Sequence, residues 1–398
     1  MTNIKININI DTVISIFNQI FMRYIERAAE KNIQKRLFKE KIVIIYGARQ
    51  VGKTTLVKRI LKDFGNKGRY LNCDFDSVRR GLNELEAEKI KSYLGDYKLI
   101  VLDEAQNIPN IGKILKIIVD TYPHLQIIAT GSSSFELAEK VSEPLTGRTF
   151  KILLSPLSLS EIKKDKDLLF VESRLENLLR FGSYPEIVYL NEELAIERLN
   201  DISSNYLYKD ILKIEGLKKI NLVRSLLQML ALQLGQEVSY HELAVNLGVN
   251  RVTVQKYIYI LEQNFVIFKL NAFSRNLRKE FAKTVKIYFC DLGIRNSLIE
   301  NFNRLEIRND TGALWENFCI LERKKTRESR KKFVNIYFWR TYDQKEVDYV
   351  EEADGKIVGF EFKWGIKKKI KKPKEFIATY RAKVNLVDRS NYWKFLGE

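Results

Sequence analysis

The sequence predicts an α/β protein: a parallel sheet covered by helices on both faces, then a helical stretch, a helix-turn-helix and a second mixed α/β region. Three observations lead there. Between residue 41 and about residue 160, short apolar runs alternate with amphipathic stretches, and strands alternating with helices make a parallel sheet buried on both faces. A glycine-rich loop joins the first of those runs to a helical one. Near the C-terminus, Asp354-Gly355 separates two alternating segments. That dipeptide is a strong hairpin signal, because a type I′ turn needs positive φ at both central residues.

Bulk composition narrows the class. The 398 residues are enough for two or three domains, and 45% hydrophobic with 30% charged content describes an ordered globular chain. No run approaches ~18 apolar residues, so no membrane span is expected. The stretch "MTNIKININIDTVISIFNQIF" lacks a basic n-region and a small-residue cleavage site, so no signal peptide is expected. Cys73, Cys290 and Cys319 are scattered, as suits reduced thiols in a cytoplasm. A net charge of +18 favours a polyanionic partner, nucleic acid before an anionic membrane surface; the alternative is a lysine-rich solvated surface. That His124 and His241 are the only histidines argues against a Ser-His-Asp triad or a histidine-ligated metal cluster. Chemistry then falls to carboxylates, lysine and Mg²⁺.

The runs "KIVIIYG", "RYLNCDF", "YKLIVLDE", "LQIIATG" and "TFKILLSPL" read as strands. Between the first and its helix, "GARQVGKTTL" fits G-x-x-x-x-G-K-[ST]. The backbone from Gly47 through Ala48, Arg49, Gln50, Val51 and Gly52 would curl its N–H groups around phosphate oxygens, with the helix N-terminus at Lys53, Thr54 and Thr55 adding positive potential. Lys53 would reach the β and γ phosphates of ATP, and Thr54 would offer its hydroxyl to Mg²⁺. At the end of "KLIVLDEAQNI", Asp103 would hold Mg²⁺ and Glu104 would polarise the attacking water. Ser132 or Thr130, ending the next strand, would sense the γ phosphate.

Together these segments resemble the AAA-type P-loop ATPases. "PLTGRTFKILLSPLSLSEI", "FGSYPEIV" and "NYLYKDIL" resemble one bacterial and archaeal branch, in which an ATPase module precedes a winged helix and a C-terminal domain long of unknown function. The resemblance implies a P-loop NTPase sheet, ATP and Mg²⁺ as cofactors, and Arg148 as a finger or sensor arginine, acting in cis or across the interface of a homo-oligomer. It divides the chain into an N-terminal helical segment (1–38), an ATPase core (39–160), a helical subdomain (161–218), a winged helix (219–275) and a nuclease-like domain (276–398).

"VSYHELAVNLGVNRVTVQKYIYILEQNFVIFKL" reads as two helices, a turn and a strand. Ser239 and Glu242 form a capping box, Gly248 stops the first helix, and Asn250 caps the second. Val254, Tyr257, Ile258 and Leu261 face inward at helical spacing, leaving Arg251, Gln255 and Lys256 free for the major groove of DNA. Packing against protein is the alternative use of such a module.

In "EVDYVEEADGKIVGFEFKW" the turn sets Asp348 opposite Glu361 and Glu346 opposite Lys363, with Val347, Tyr349, Val358, Phe360 and Phe362 on the other face. Opposed carboxylates repel unless a divalent cation sits between them. With Glu316 on the preceding helix, the order resembles the PD-(D/E)xK nuclease core, although Val347 stands where a proline is usual. The resemblance implies metal at Glu316, Asp348 and Glu361, with Lys363 activating water. By helical wheel, Glu316 lies outside the stripe of Leu314, Trp315, Phe318 and Leu321. The alternative is a surface pair of Glu346 with Lys363. "ERKKTRESRKK" and "KWGIKKKIKKPK" flank the site with lysine and arginine and would supply phosphate contacts; ordinary solvated loops are the alternative. The expectation is an ATPase acting on DNA with a metal-dependent nuclease, or else a non-cleaving nucleotide switch that binds DNA or a protein.

Overall fold

The computed structural model describes residues 24–132, 145–207, 220–273, 285–341, 343–366 and 373–397. Of the N-terminal segment, the described part holds α1 (Ala28–Gln34). The five apolar runs form β1 (Ile42–Tyr46), β2 (Gly68–Asn72), β3 (Leu99–Asp103), β4 (Gln126–Gly131) and β5 (Thr149–Leu153), side by side in the order β2-β3-β4-β1-β5. Every pairing is parallel. Strands β1, β3 and β4 are buried throughout, as a sheet covered on both faces requires. Their side chains alternate between two cores, Val43 and Ile45 in one and Ile42 and Ile44 in the other. This is the helix-flanked parallel sheet of the P-loop NTPase fold, with α2 (Lys53–Lys62) leaving the glycine-rich loop after β1.

Helices span residues 159–165, 168–173, 175–181 and 192–201, the first of them opened by the reciprocal capping box of Ser158 and Glu161. Beyond residue 220 come α3 (Ile220–Leu232), β6 (Glu237–Val238), α4 (Tyr240–Leu247), α5 (Arg251–Gln263), β7 (Ile267–Ala272) and β8 (Val285–Phe289). The Ser239 hydroxyl accepts from the Glu242 N–H at the start of α4, Gly248 ends that helix at φ 63°, and Asn250 caps α5 through the Thr253 N–H. Strand β8 pairs antiparallel with both β6 and β7. Residues 274–284 between β7 and β8, where a wing would fall, lie outside the described residues.

The second sheet crosses residue 275, where the sequence places a boundary. After α6 (Leu292–Leu298) and α7 (Thr311–Arg330), strand β9 (Asn335–Arg340) pairs parallel with β7. With β10 (Glu346–Ala353), β11 (Lys356–Phe362) and β12 (Lys383–Val387) this gives seven strands in the order β12-β11-β10-β9-β7-β8-β6. Pairing satisfies an edge that β7 would otherwise expose, and Phe273 closes the seam edge-on against Tyr337 and Tyr380. The β10–β11 hairpin has the expected register, Tyr349 opposite Phe360 and Ala353 opposite Lys356, with Asp354 at φ 50° and Gly355 at φ 73°. Among the described residues, no helix is long and apolar enough to cross a membrane.

A buried ion pair joins the two sheets' modules. Glu322 of α7 accepts from the Leu159 N–H at 2.8 Å and from Lys325 Nζ at 2.7 Å. Lys325 also donates to the Leu157 carbonyl and Ser183 Oγ, both at 2.9 Å. Removing one partner of such a pair strands the other's charge in a low-dielectric interior. Glu322→Ala should therefore lower unfolding free energy by ~3–5 kcal/mol in urea melts; a loss below ~1 kcal/mol would mean that water screens the pair.

Candidate nucleotide site and carboxylate cluster

The glycine-rich loop leaves β1 against the exit of β5. A Cβ on Gly47 would lie 2.1 Å from the Leu154 carbonyl oxygen, so no side chain fits there. Gln50 at φ 61° and Gly52 at φ 94° bend the loop, and left-handed residues of this kind turn successive N–H groups toward one centre. Val51 is buried beneath the loop, Ala48, Arg49 and Gln50 are half-buried along it, and Thr55 faces solvent from the first turn of α2. Lys53 is 5% exposed, and its ammonium donates to the Gly47 and Ala48 carbonyls at 2.8 and 2.9 Å.

Asp103 is the centre of the site. Its Oδ2 accepts from Thr54 Oγ1 at 2.7 Å and the Tyr70 hydroxyl at 2.6 Å, and its Oδ1 from Thr130 Oγ1 at 2.5 Å. Thr130 Oγ1 in turn accepts from the Glu104 N–H at 3.0 Å. Glu104 has φ 55°, a conformation costing a β-carbon residue ~1–3 kcal/mol and found at sites the surroundings over-determine. Its Oε2 accepts from Gln106 Nε2 at 2.5 Å, and the same amide donates to Ser132 Oγ at 3.3 Å. Of the two sensor candidates, Thr130 touches the Asp103-Glu104 pair, and Ser132 reaches Glu104 through Gln106. A threonine hydroxyl beside a carboxylate is the oxygen donor set that Mg²⁺ takes while keeping several waters, so these residues fit that ion.

Sequence reasoning missed Arg27. The residue is 5% exposed, and its guanidinium donates to the Val51 carbonyl at 2.6 Å, the Ser155 carbonyl at 2.5 Å and Glu161 Oε1 at 3.1 Å. It thus ties the loop to the segment leaving β5. Arg148, by contrast, is far from the loop of its own chain. Its carbonyl accepts from the Ile42 N–H at the start of β1, and its side chain donates to Asp120 Oδ1 at 2.6 Å. A five-residue strand, about 17 Å of it, separates Arg148 from the loop. The cis finger expected of it is corrected on that ground.

The C-terminal carboxylates do converge. Asp348, 8% exposed, accepts from the Phe362 N–H at 2.8 Å beside Glu361, and Lys363 Nζ lies 3.6 Å from Glu361 Oε2. Glu316 points into the same place from α7, accepting from the Tyr288 hydroxyl at 2.5 Å and Lys286 Nζ at 3.1 Å. Lys286 also pairs with Glu346, so Glu346 is engaged by Lys286 and, at 3.8 Å, by Arg340. Lys286 and Tyr288 share one face of β8, the signal that an all-core strand would not carry.

Burial raises the carboxyl of Glu316 to about 7, Asp348 adding to the rise and Lys286 opposing it. Burial and then Asp348 push Glu361 up to about 8. Asp348 is raised by burial and pulled back by Lys286 and Lys363. Burial disfavours charge on Lys286, yet Glu316, Glu346 and Asp348 together hold its pKa above the usual lysine value. An ammonium is therefore the cation among these carboxylates. Among the described residues, no group of three or more His, Cys, Asp or Glu is disposed to hold a metal ion. The set Glu316, Asp348 and Glu361 is assembled, but a divalent ion entering it would meet Lys286, and the residues do not fit one as they stand.

On α5, Val254, Tyr257, Ile258 and Leu261 are buried while Arg251, Gln255 and Lys256 are exposed. Val252 and Tyr259 extend that exposed face. "ERKKTRESRKK" is mostly the last turns of α7, not a loop. Its charges pair at helical spacing, Glu322 with Lys325 and Lys324 with Glu328. Much of "KWGIKKKIKKPK", residues 367–372, lies outside the described residues.

With this geometry in place, family comparison is informative. Residues 39–163 match the AAA domain family. The N-terminal module is similar to AAA domains. The rest matches families described as domains of unknown function, DUF8612 over residues 172–305 and DUF4143 over 311–392. An uncharacterized protein of Mycobacterium tuberculosis is 28% identical over 341 residues, 85% of this chain and 73% of its own length. One from Methanocaldococcus jannaschii is 26% identical over 370 residues, 86% of this chain and 80% of its own. Among solved structures, Pif1 helicase from Candida albicans aligns over 45% of this chain and 48% of its own at 17% identity and TM-score 0.26. Drosophila ORC bound to AT-rich DNA and Cdc6 aligns over 73% and 95% at 10% identity and TM-score 0.24. Likeness at these scores says nothing of function.

Glu316 and Glu361 fold with pKa values of about 7 and about 8, above the ordinary 4.5. The folded state then keeps protons that the unfolded chain releases, so their stabilising effect is full below about pH 4.5 and is lost as pH rises through about 7 and 8. Tm should fall between about pH 4.5 and 8 and level off above that, and Glu361→Gln should flatten the upper part of that fall; a Tm rising over the same interval would contradict the burial of these charges.

Proposed function

We propose that the chain is a Mg²⁺-dependent ATPase of AAA type that acts on DNA through a winged helix and does not cut it. The observation that carries the ATPase reading is the convergence of Thr54, Tyr70 and Thr130 on Asp103, next to a left-handed Glu104. Thr54 and Asp103 would hold Mg²⁺, which neutralises phosphate charge when bound. Lys53 is placed to exchange the Gly47 and Ala48 carbonyls for β and γ phosphate oxygens. Glu104 would orient the attacking water and take its proton, with Gln106 fixing the carboxylate.

The winged-helix reading is supported by the order α3-β6-α4-α5-β7-β8 and by an exposed α5 face bearing Arg251, Gln255 and Lys256. A net charge of +18 suits the phosphate backbone as partner. The buried free thiols of Cys73 and Cys319 suit a reducing cytoplasm. Arg148 would reach a γ phosphate only from a neighbouring copy, which makes a homo-oligomer the assembly in which it would act. Against cleavage stands Lys286 among the carboxylates. In favour of a second reading, a metal-dependent nuclease, stands the approach of Asp348, Glu361 and Lys363 in the register such enzymes use.

Phosphate release assays should find Lys53→Ala reduced by ~10²–10³-fold, and Glu104→Gln reduced by ~10²–10⁴-fold while still binding a fluorescent ATP analogue. Undiminished hydrolysis in Glu104→Gln would remove it from the mechanism. Plasmid incubated with the protein and Mg²⁺ or Mn²⁺ should stay supercoiled. Nicking that survives Lys53→Ala and vanishes in Lys363→Ala would establish the nuclease reading instead.

A further inference from the structure

A cleft of about 520 Å³ opens between β5, at the edge of the AAA sheet, and the far end of α7. Lys151 and Ile152 of β5, Arg36 of the segment after α1, and Lys331, Lys332 and Phe333 line it. The cleft's acidic residues are already engaged, Glu161 by Arg27 and Glu328 by Lys324. Its deeper cations are matched as well, Lys325 by Glu322 and Arg327 by Glu351. The rim differs. Lys151, Lys331 and Lys332 are exposed and pair with no carboxylate among the described residues. Between them Phe333 is 97% exposed, the highest of any large apolar side chain described.

An exposed aromatic ring beside cations that pair with no carboxylate offers a ligand an apolar face and positive charge together. A nucleic acid strand with unstacked bases uses both: its phosphates take the lysines and a base takes the ring. A duplex keeps its bases stacked and offers Phe333 nothing. We propose that this cleft binds single-stranded nucleic acid, with a base stacked on Phe333 and backbone phosphates on Lys151, Lys331, Lys332 and Arg36. The assignment rests on the reading of the chain as a DNA-acting protein and adds a second surface, distinct from α5. Arg27 lines the same cleft and holds the Val51 carbonyl, so the strand would lie one side chain from the phosphate loop.

The test is fluorescence anisotropy of the full chain with labelled oligothymidine longer than ~16 nucleotides and with a labelled duplex of equal length, over a KCl series. All the substituted side chains are exposed, so folding should survive. Phe333→Ala should weaken oligothymidine binding by roughly 5- to 150-fold. Lys331→Ala with Lys332→Ala should reduce the salt slope by ~1.4. Both should leave duplex binding intact, whereas Arg251→Ala with Lys256→Ala should lower duplex binding. If the cleft substitutions leave oligothymidine affinity unchanged while the α5 pair weakens duplex binding, the cleft is overturned and the DNA reading stands. Equal losses of oligothymidine and duplex from Phe333→Ala would also overturn single-strand selectivity. If the wild-type chain binds neither probe at low salt, the DNA reading fails and the cleft assignment with it.

Discussion

Everything at the nucleotide end depends on the carboxylate of Asp103. It is 3% exposed, and a buried carboxylate persists only where hydrogen bonds replace its water. Those bonds come from Thr54 on α2, Tyr70 on β2 and Thr130 on β4. One acidic group therefore fixes the phase of the phosphate loop against two strands. The same Thr130 oxygen holds the Glu104 backbone in its left-handed turn. A group that must move to act is expensive in rate, so donors fixed before substrate arrives are the efficient arrangement for phosphoryl transfer.

A second chain of contacts runs from that loop to the other sheet. Arg27 holds Val51 and Glu161, Glu161 caps Ser158, the next N–H along belongs to Leu159, and Glu322 of α7 accepts from it. Two turns earlier on α7, Glu316 meets Lys286. Each buried charge in this series has an opposite charge or several backbone dipoles as partner, as burial in a low-dielectric interior demands. The lysines at the rim of the cleft are exposed and stand outside that series, open to a ligand beside Phe333.

Features governed by local rules were legible in the sequence. The phosphate loop, the Asp103-Glu104 strand end, the caps at Ser239 and Asn250 and the register of the 346–362 hairpin all follow from φ requirements, capping and the period of two. Features that depend on partners distant in sequence were not. Arg27 meets Glu161 across 134 residues, and Lys286 meets Glu316 across 30. Glu316 looked misplaced on a helical wheel because α7 was assumed to bury one stripe, whereas Trp315, Asn317, Phe318 and Cys319 are buried all round it. The density of charge in residues 322–332 suggested a loop; helical pairing of those charges made it a helix. Arg148 was placed by resemblance, and the parallel register of β5 on β1 is what sets it at the N-terminal end of the sheet.

The central claim is that, among the described residues, a divalent metal belongs at Thr54 and Asp103, and that Lys286 takes the cation's place at the C-terminal carboxylates. Anomalous diffraction from crystals grown with Mn²⁺ and a non-hydrolysable ATP analogue tests it directly. The account predicts a manganese peak beside Thr54 and Asp103, with Lys286 still between Glu316 and Glu346. A second peak among Glu316, Asp348 and Glu361, with Lys286 turned away, would contradict it.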